Sequence, residues 1–394
     1  MKAYKSVMQH TSPNSDLMEM MDVFTRMVNR CIRIGLKENT HNMKRMSGLC
    51  YHELRDYDIL SSYKICAISR AAGILSNRSQ SVRRGRDMRD QVVRKPFITN
   101  CYGVKHNGCL LTIPYRRGNP INILLNAHTQ KVLADTSMTV QSFSLTENRI
   151  SICVSKEPDE IECVGTVGID RNLRNVTCGD AKGVTVYKTN KLVSMKENTI
   201  RARAGFSRDD RRKKEQFWKQ RQRRLADRTR QYINRISRDI VETATRNKTM
   251  ILMEDLKGIR KLYRRGNGQG KNYRRRMNGW PFYELQRQIE YKAAWIGLPV
   301  GFVNPKRTST RCPGCGKKLQ EDAQRRRKMS CINCGLCMDR DVIAAMNISR
   351  KLPIRFGGSR GGIGEAQSDA FESAMPAPRI RIVDMSQSSK TCTR

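Results

Sequence analysis

Two cysteine pairs, Cys312-Pro-Gly-Cys315 and Cys331-Ile-Asn-Cys334, constrain this chain more than any other feature. Fifteen residues separate them, which is the C-x2-C…C-x2-C spacing of a zinc ribbon. Each pair turns two thiolates toward one ion, and two such knuckles complete a tetrahedral S4 shell. A closed four-cysteine shell leaves no open position for water, so the expected Zn²⁺ is structural. Cys337 is then surplus and reads as a free thiol.

The chain carries 14 cysteines in all, yet it begins MKAYKSVMQH, without a signal-peptide core. Reduced thiols and one zinc site in an intracellular protein are therefore expected, rather than a disulfide scaffold. Charge gives the next constraint. Lys and Arg total 76 against 36 Asp and Glu, a net charge of +40. Such an excess calls for a polyanion, and nucleic acid is the usual one. An anionic membrane would favour one discrete amphipathic basic helix, whereas here the charge is spread over hundreds of residues. No apolar run reaches the ~20 residues needed to span a bilayer. The expected location is the cytoplasm of a prokaryote, in association with the nucleoid.

Residues 1–12 read as a short strand. From Ser15, apolar residues at Leu17, Met20, Met21, Phe24, Val28, Cys31 and Ile34 recur at helical spacing, and further helical stretches run to about Leu75. From about Val92 to Lys156 the segments GCLLTIPY, INILLN, TVQSFSL and RISICVS are short, β-branched and punctuated by Gly, Pro and Asn. A β domain interrupted by a helical insert is expected. Residues 161–188 give hairpin-linked strands, and the Arg/Lys-dense stretch 201–230 a basic helix. An apolar stripe through Leu225, Tyr232, Ile233, Ile236, Ile240 and Ala244 predicts that this helix packs on something. TMILMED (249–255) and PVGFVNP read as strands, FYELQRQIEYKAAWIGL as an amphipathic helix, and 260–276 as a flexible basic loop. The Gly-, Ser- and Pro-rich segment 353–394 reads as a largely disordered tail.

Three acids stand at element ends: Asp170 after VGTVGI, Glu254 after MILM, and Asp341 at the start of a helix. Each alone has a plain reading, as a turn residue, a strand-end charge or an N-cap. Together they can converge on one sheet edge. Two divalent ions ~4 Å apart could there activate water and stabilise a leaving 3′ oxygen. Carboxylate oxygens suit Mg²⁺ or Mn²⁺. Spacing does not choose between Asp339 and Asp341.

The runs GIDRNLRN, MEDLKGIR, NGWPFYELQRQIEYKAAWIGLPVGFVNPKRTSTRCPGCG and CINCGLCMDRDVIAAMNI resemble the RuvC-type nuclease half of the TnpB family. These are transposon-encoded RNA-guided nucleases related to miniature type V CRISPR effectors. The resemblance covers roughly residues 161–351, and its four motifs occur in the family's order. It implies an α+β multidomain chain. A wedge-like β-barrel (1–12 and 92–160) would carry a helical recognition lobe (13–91). An RNase H-like, RuvC-type α/β nuclease domain (161–308 and 338–352) would hold an inserted zinc ribbon (309–337). It further implies Asp170, Glu254 and Asp341 as catalytic Mg²⁺ ligands; Asp339 then reads as a residue beside the site, paired with Arg340 or another arginine. A guide RNA and target double-stranded DNA are the implied partners, and a homodimer is left open. One departure is Ile343, where many relatives have Asn.

In RNA-guided recognition, base pairing reads the sequence and the protein supplies a basic channel. Arg211, Arg212, Lys213, Lys214, Arg264, Arg265, Tyr273 and Arg274 are the candidate nucleic-acid contacts, with tyrosines among arginines suited to stacking on unpaired bases. Three alternatives stay open at this point. They are a miniature type V CRISPR effector, a nuclease-inactive RNA-guided DNA-binding repressor and a DNA-joining transposase with an RNase H-like core. Retention of all three acids speaks against the repressor, and the position of the ribbon speaks against the transposase.

Overall fold

In a computed structural model the chain divides into two compact units, residues 2–157 and 158–394. The structure describes residues 2–12, 14–100, 102–205, 211–322, 324–325, 327–357 and 378–385, with side chains of 211–214 outside that set.

The first unit opens with strand β1 (Ala3–His10), followed by helices α1 (Ser15–Lys37), α2 (Met43–Cys50) and α3 (Ser61–Arg83). Then come β2 (Ile98–Asn100), β3 (Lys105–Asn107), β4 (Leu110–Arg116), β5 (Asn119–Leu124), α4 (Ala127–Leu133), β6 (Thr139–Thr146) and β7 (Arg149–Lys156). The Asn14 side chain starts α1 by accepting from the Leu17 N–H at 2.9 Å, satisfying a donor that a helix start leaves free. The stripe at 3–4-residue spacing then turns inward: Leu17, Met20, Met21, Phe24, Val28 and Cys31 are buried, and Ile34 is half-buried. Truncating Phe24, 1% exposed, would cost about 3–5 kcal/mol. The strands form two sheets, one ordered β1-β7-β6-β2 and one β3-β4-β5. Gln9 links them: its amide donates to the Leu124 carbonyl, and its Oε1 accepts from the Asn126 N–H.

The second unit runs β8 (Gly165–Arg171), β9 (Asn175–Gly179), β10 (Gly183–Lys188), α5 (Asn190–Ala204), α6 (Arg211–Arg246) and β11 (Thr249–Glu254). Next are α7 (Lys271–Gly279), α8 (Phe282–Ile296) and β12 (Val300–Val303), then β13 (Gln320–Glu321), β14 (Lys328–Ser330) and β15 (Cys337–Asp339). Helix α9 (Arg340–Arg350) and strands β16 (Arg355–Phe356) and β17 (Arg379–Val383) complete it. A seven-stranded sheet is ordered β16-β12-β11-β8-β9-β10-β17. β8, β11 and β12 run parallel, as strands joined by helical crossovers do, while β8–β9 and β9–β10 are antiparallel. Tyr232, Ile233, Ile236, Ile240 and Ala244 of α6 pack with Leu285, Ile289 and Ala293 of α8 on one face. Leu225 is half-buried.

Helix α9 lies on the other face, and Asp341 through Ser349 are all buried. Val342 and Met346 pack on Val184, and Ile348 on Leu252 and Val303. Ile343 turns away from the sheet into a small separate core with Cys312, Leu319, Met329 and Cys331. That location accounts for an apolar residue at this position. Gly168 of β8 is where helix and sheet come closest. A Cβ there would lie 2.1 Å from the Ala345 carbonyl oxygen and 2.5 Å from the Ser349 nitrogen.

The segment 353–394, read as a largely disordered tail, is not structureless where it is described, and residues 358–377 and 386–394 lie outside the described residues. Phe356 and Arg355 pair with β12, and Arg379–Val383 adds a parallel edge strand to β10. Arg355 forms two 3.0 Å hydrogen bonds to Asp255 and stacks 3.6 Å from the Phe302 ring centre, so a charged residue anchors the returning chain. The basic stretch 260–276 is likewise not a loop along its length. It contains a short 3₁₀ turn at Ile259–Tyr263 and most of α7, braced by Tyr263 and Tyr273 packed edge to face at 6.0 Å. Among the described residues no helix is long and apolar enough to cross a membrane.

Candidate functional site

β8 and β11 are parallel neighbours, with Ile169 opposite Met253, so one further step brings the strands to Asp170 and Glu254. Alternation along β8 puts Gly168 and Asp170 on the α9 face, with Ile169 and Arg171 on the other. Because α9 sits directly over Gly168, its first turn delivers Asp341 to the same strand ends. Asp339 is the N-cap of α9, its carboxylate accepting the Asp341 N–H at 2.8 Å. Asp170, Glu254 and Asp341 all line one cleft of about 640 Å³, together with Asn172, Thr308 and Arg327.

Each acid is held by a neutral or cationic donor. Asn172 donates to Asp170 Oδ2 at 2.6 Å and Asn175 to Asp341 Oδ2 at 2.7 Å. The Thr308 hydroxyl donates to Glu254 Oε1 at 2.7 Å. Arg327, just before β14, forms an ion pair with Asp341 and lies 3.6 Å from Asp339. Burial, then the neighbouring Glu254 and Asp341 charges, pushes the Asp170 carboxyl up to about 8. Burial also raises Glu254 and Asp341, opposed by Thr308 at the one and by Asn175 at the other. Three carboxylates, Asp170 and Asp341 buried and Glu254 half-buried, whose ionisation burial resists form a donor set short of positive charge, and hard oxygens suit Mg²⁺ or Mn²⁺. They are not drawn into one tight shell. Among the described residues, the group of His, Cys, Asp and Glu whose ligand atoms all lie within 4.8 Å of one another is Cys312, Cys315, Cys331 and Cys334.

That cysteine cluster fits zinc on its own terms. The Cys312 and Cys334 sulfurs are 3.5 Å apart and those of Cys315 and Cys331 are 3.4 Å apart. The Lys317 backbone N–H, helped by side-chain hydrogen bonds from Cys331, Asn333 and Cys334, pulls the Cys315 thiol down to about 6 against the effect of burial, which favours the thiolate that metal requires. Gly316 and Gly335, one beyond each pair, have φ of 70° and 71°, the left-handed turn that wraps backbone round the sulfurs. Cys337 is exposed on β15 and stands outside the cluster.

Of the expected nucleic-acid contacts, Tyr273 lines the acidic cleft, and Arg264 and Arg265 are exposed. Arg274 is half-buried and donates to the Gln269 carbonyl. Arg211, Arg212, Lys213 and Lys214 start α6, but their side chains lie outside the described residues. The residues that grip the acids (Arg171, Asn172, Asn175, Thr308 and Arg327) escape a reading by charge and spacing. Asn172 alone stands close in sequence to its acid, two positions from Asp170.

Residues 282–348 match the family described as Cas12f1-like, TNB domain. The chain is 34% identical over 261 residues to the TnpB-like protein MJ0751 of Methanocaldococcus jannaschii, a match covering 61% of this chain and 89% of that protein. It is 33% identical over 117 residues to the CRISPR-associated endodeoxyribonuclease Cas12f1 of Sulfoacidibacillus thermotolerans, covering 29% of this chain and 25% of that protein. A solved Cas12f1-sgRNA-target DNA complex has a protein chain similar in fold, with a TM-score of 0.51 and 15% identity. The match covers 84% of this chain and 80% of that one.

Proposed function

The chain belongs to the TnpB-like family, and from that premise we propose that it is an RNA-guided DNA endonuclease of a transposon. It would cut double-stranded DNA matched by a bound guide RNA. The observation that carries this reading is the convergence of Asp170, Glu254 and Asp341, from β8, β11 and α9, on one cleft of a strongly basic chain.

In this reading the second unit is an RuvC-type nuclease domain and residues 309–337 are its zinc ribbon. The two sheets of the first unit form the wedge-like barrel that carries α1–α3 as a recognition lobe. Asp170, Glu254 and Asp341 would hold Mg²⁺ or Mn²⁺. Such an ion, when bound, lets the three carboxylates ionise together, activates water and stabilises the leaving 3′ oxygen. The rest is done by the chain. Asn172, Asn175 and Thr308 fix which carboxylate oxygens remain free to face the cleft. Arg327 lends a guanidinium beside Asp341 that can meet a phosphate when DNA enters. Tyr263 and Tyr273 offer ring surface for an unpaired base at the cleft wall. Cys312, Cys315, Cys331 and Cys334 would hold a zinc ion, which would brace the hairpin that presents Arg327. The net charge of +40 supplies the sequence-independent attraction for RNA and DNA backbones.

The experiment is to express the protein with its flanking DNA and sequence the RNA that copurifies. A discrete RNA with a variable guide end, whose replacement redirects cleavage, is the expected result. Recovery of bulk degraded RNA alone, with no guide-dependent cleavage, overturns the reading. A CRISPR array beside the gene would instead favour the miniature type V effector.

A further inference from the structure

Arg171 ends β8 immediately after Asp170, and its side chain takes the opposite face of the sheet. It is 4% exposed, an uncommon fate for an arginine unless the site is built around it. One guanidinium nitrogen, Nη2, donates to the main-chain carbonyl of Glu254. The other, Nη1, donates to Gln286 Oε1 at 3.1 Å and reaches the Phe282 carbonyl at 3.5 Å. Gln286 and Phe282 stand in the first two turns of α8. One planar fork therefore ties three elements together: β8, the end of β11, and α8. Lysine, a single-point donor, cannot span those acceptors.

The acceptors also decide what the fork controls. The Glu254 carbonyl belongs to the residue whose carboxylate lines the cleft, so moving that carbonyl moves the carboxylate. Asp255 and Glu290 lie within electrostatic reach of Arg171, but Asp255 is already met by Arg355 at 3.0 Å and by Lys257 at 3.7 Å. The positive charge of Arg171 thus falls first on Glu254 and Asp170, with Glu290 next.

We propose that Arg171 is the positioning residue of the acidic cleft: anchored to α8, it holds the Glu254 end of β11 beside the Asp170 end of β8 and so sets the spacing of the two carboxylates. This rests on the reading of the cleft as a divalent-metal nuclease site. Arg171 touches neither DNA nor metal, and it acts through the backbone of Glu254. α8 becomes part of the site, because a shift of its first turns is transmitted along the fork.

The test uses the full chain with its guide RNA and two variants, Arg171→Lys and Gln286→Met. The second leaves Arg171 in place and removes only its anchor on α8. Loss of such a supporting partner lowers activity or metal affinity about 10–100-fold. The expected result is a kcat lowered by about tenfold or more, with an increased half-saturating Mg²⁺ concentration and unchanged KM for target DNA and guide-RNA retention. A second readout needs no cleavage: the rise in melting temperature that Mn²⁺ produces in the full chain shrinks in both variants. Wild-type kcat, Mg²⁺ dependence and Mn²⁺-induced shift in both variants would overturn the proposal and leave Arg171 a packed core residue. Wild type and Asp170→Ala run alongside as controls. If wild type itself fails to cut, the nuclease reading fails, while the Mn²⁺-induced shift still decides the role of Arg171.

Discussion

Gly168→Ala is a one-carbon change at the closest approach of α9 to the sheet. The added Cβ would sit 2.1 Å from the Ala345 carbonyl oxygen, 2.5 Å from the Ser349 nitrogen and 2.9 Å from Ile348 Cβ. Two of these are backbone atoms of a helix, so no rotamer change relieves the clash. Carbon–oxygen contacts settle near 3.3–3.6 Å, so α9 must retreat from β8 by roughly 1 Å. Overpacking of this kind costs about 1–3 kcal/mol, and the rigid neighbours place it at the upper end. For a unit of this size each kcal/mol moves the melting temperature by about 2–4 °C, which gives a fall of roughly 6–12 °C. The same retreat carries Asp341 away from Asp170, and a misplacement of about 1 Å can lower catalysis 10²-fold. Calorimetry of the full chain measures the first effect. Guided cleavage well below both melting transitions measures the second, free of unfolding. Gly73→Ala in α3, where a Cβ meets nothing within 4 Å, is the control and is expected to stabilise by about 0.5–1 kcal/mol. A Gly168→Ala protein that melts and cuts like wild type would refute the close packing of α9 and its role in placing Asp341.

Asp170 gives the metal-free protein a pH signature. Its carboxyl is pushed up to about 8 in the folded chain, so between pH ~4 and ~8 the folded state binds more protons than the unfolded state and stability falls as pH rises. Asp170→Asn removes that loss, so its melting-temperature advantage over wild type in chelator is expected to widen across the window. Mn²⁺ binding, measured by calorimetry, is expected to tighten over the same range, because the ion requires the ionised carboxylates. Metal analysis should find one zinc per chain in wild type and in Cys337→Ser, and loss of that zinc in Cys312→Ser. Deleting residues 379–394 uncovers the β10 edge, so hydrogen exchange at Val184–Tyr187 is expected to accelerate while the ribbon's zinc content stays unchanged.

The sequence was most legible where chemistry demands fixed spacing or one face. The two C-x2-C pairs pointed to a four-sulfur cluster because tetrahedral coordination restricts the turn between ligands. The 3.6-residue stripe of α6 marked the residues that meet α8. The three acids were visible as element ends, yet their convergence depends on the parallel register of β8 with β11 and on the missing Cβ of Gly168. The choice of Asp341 over Asp339 came from family resemblance. The structure adds that Asp339 is committed to capping α9. Long-range partners were invisible. Nothing near Arg327 announces that its guanidinium reaches Asp341, and nothing near Arg171 names the Glu254 carbonyl 83 residues away. The alternation Arg-Ile-Arg-Ile-Val at 379–383 is a strand signal, but the Gly-, Ser- and Pro-rich flank masked it.

Guided cleavage of linear double-stranded DNA by the purified RNA–protein complex in Mg²⁺, comparing wild type with Asp170→Ala, tests the central claim most directly. The account predicts guide-dependent cutting by wild type. It also predicts loss of cutting by Asp170→Ala with RNA and target binding intact. Cleavage retained by Asp170→Ala, or cutting indifferent to the guide, would contradict it.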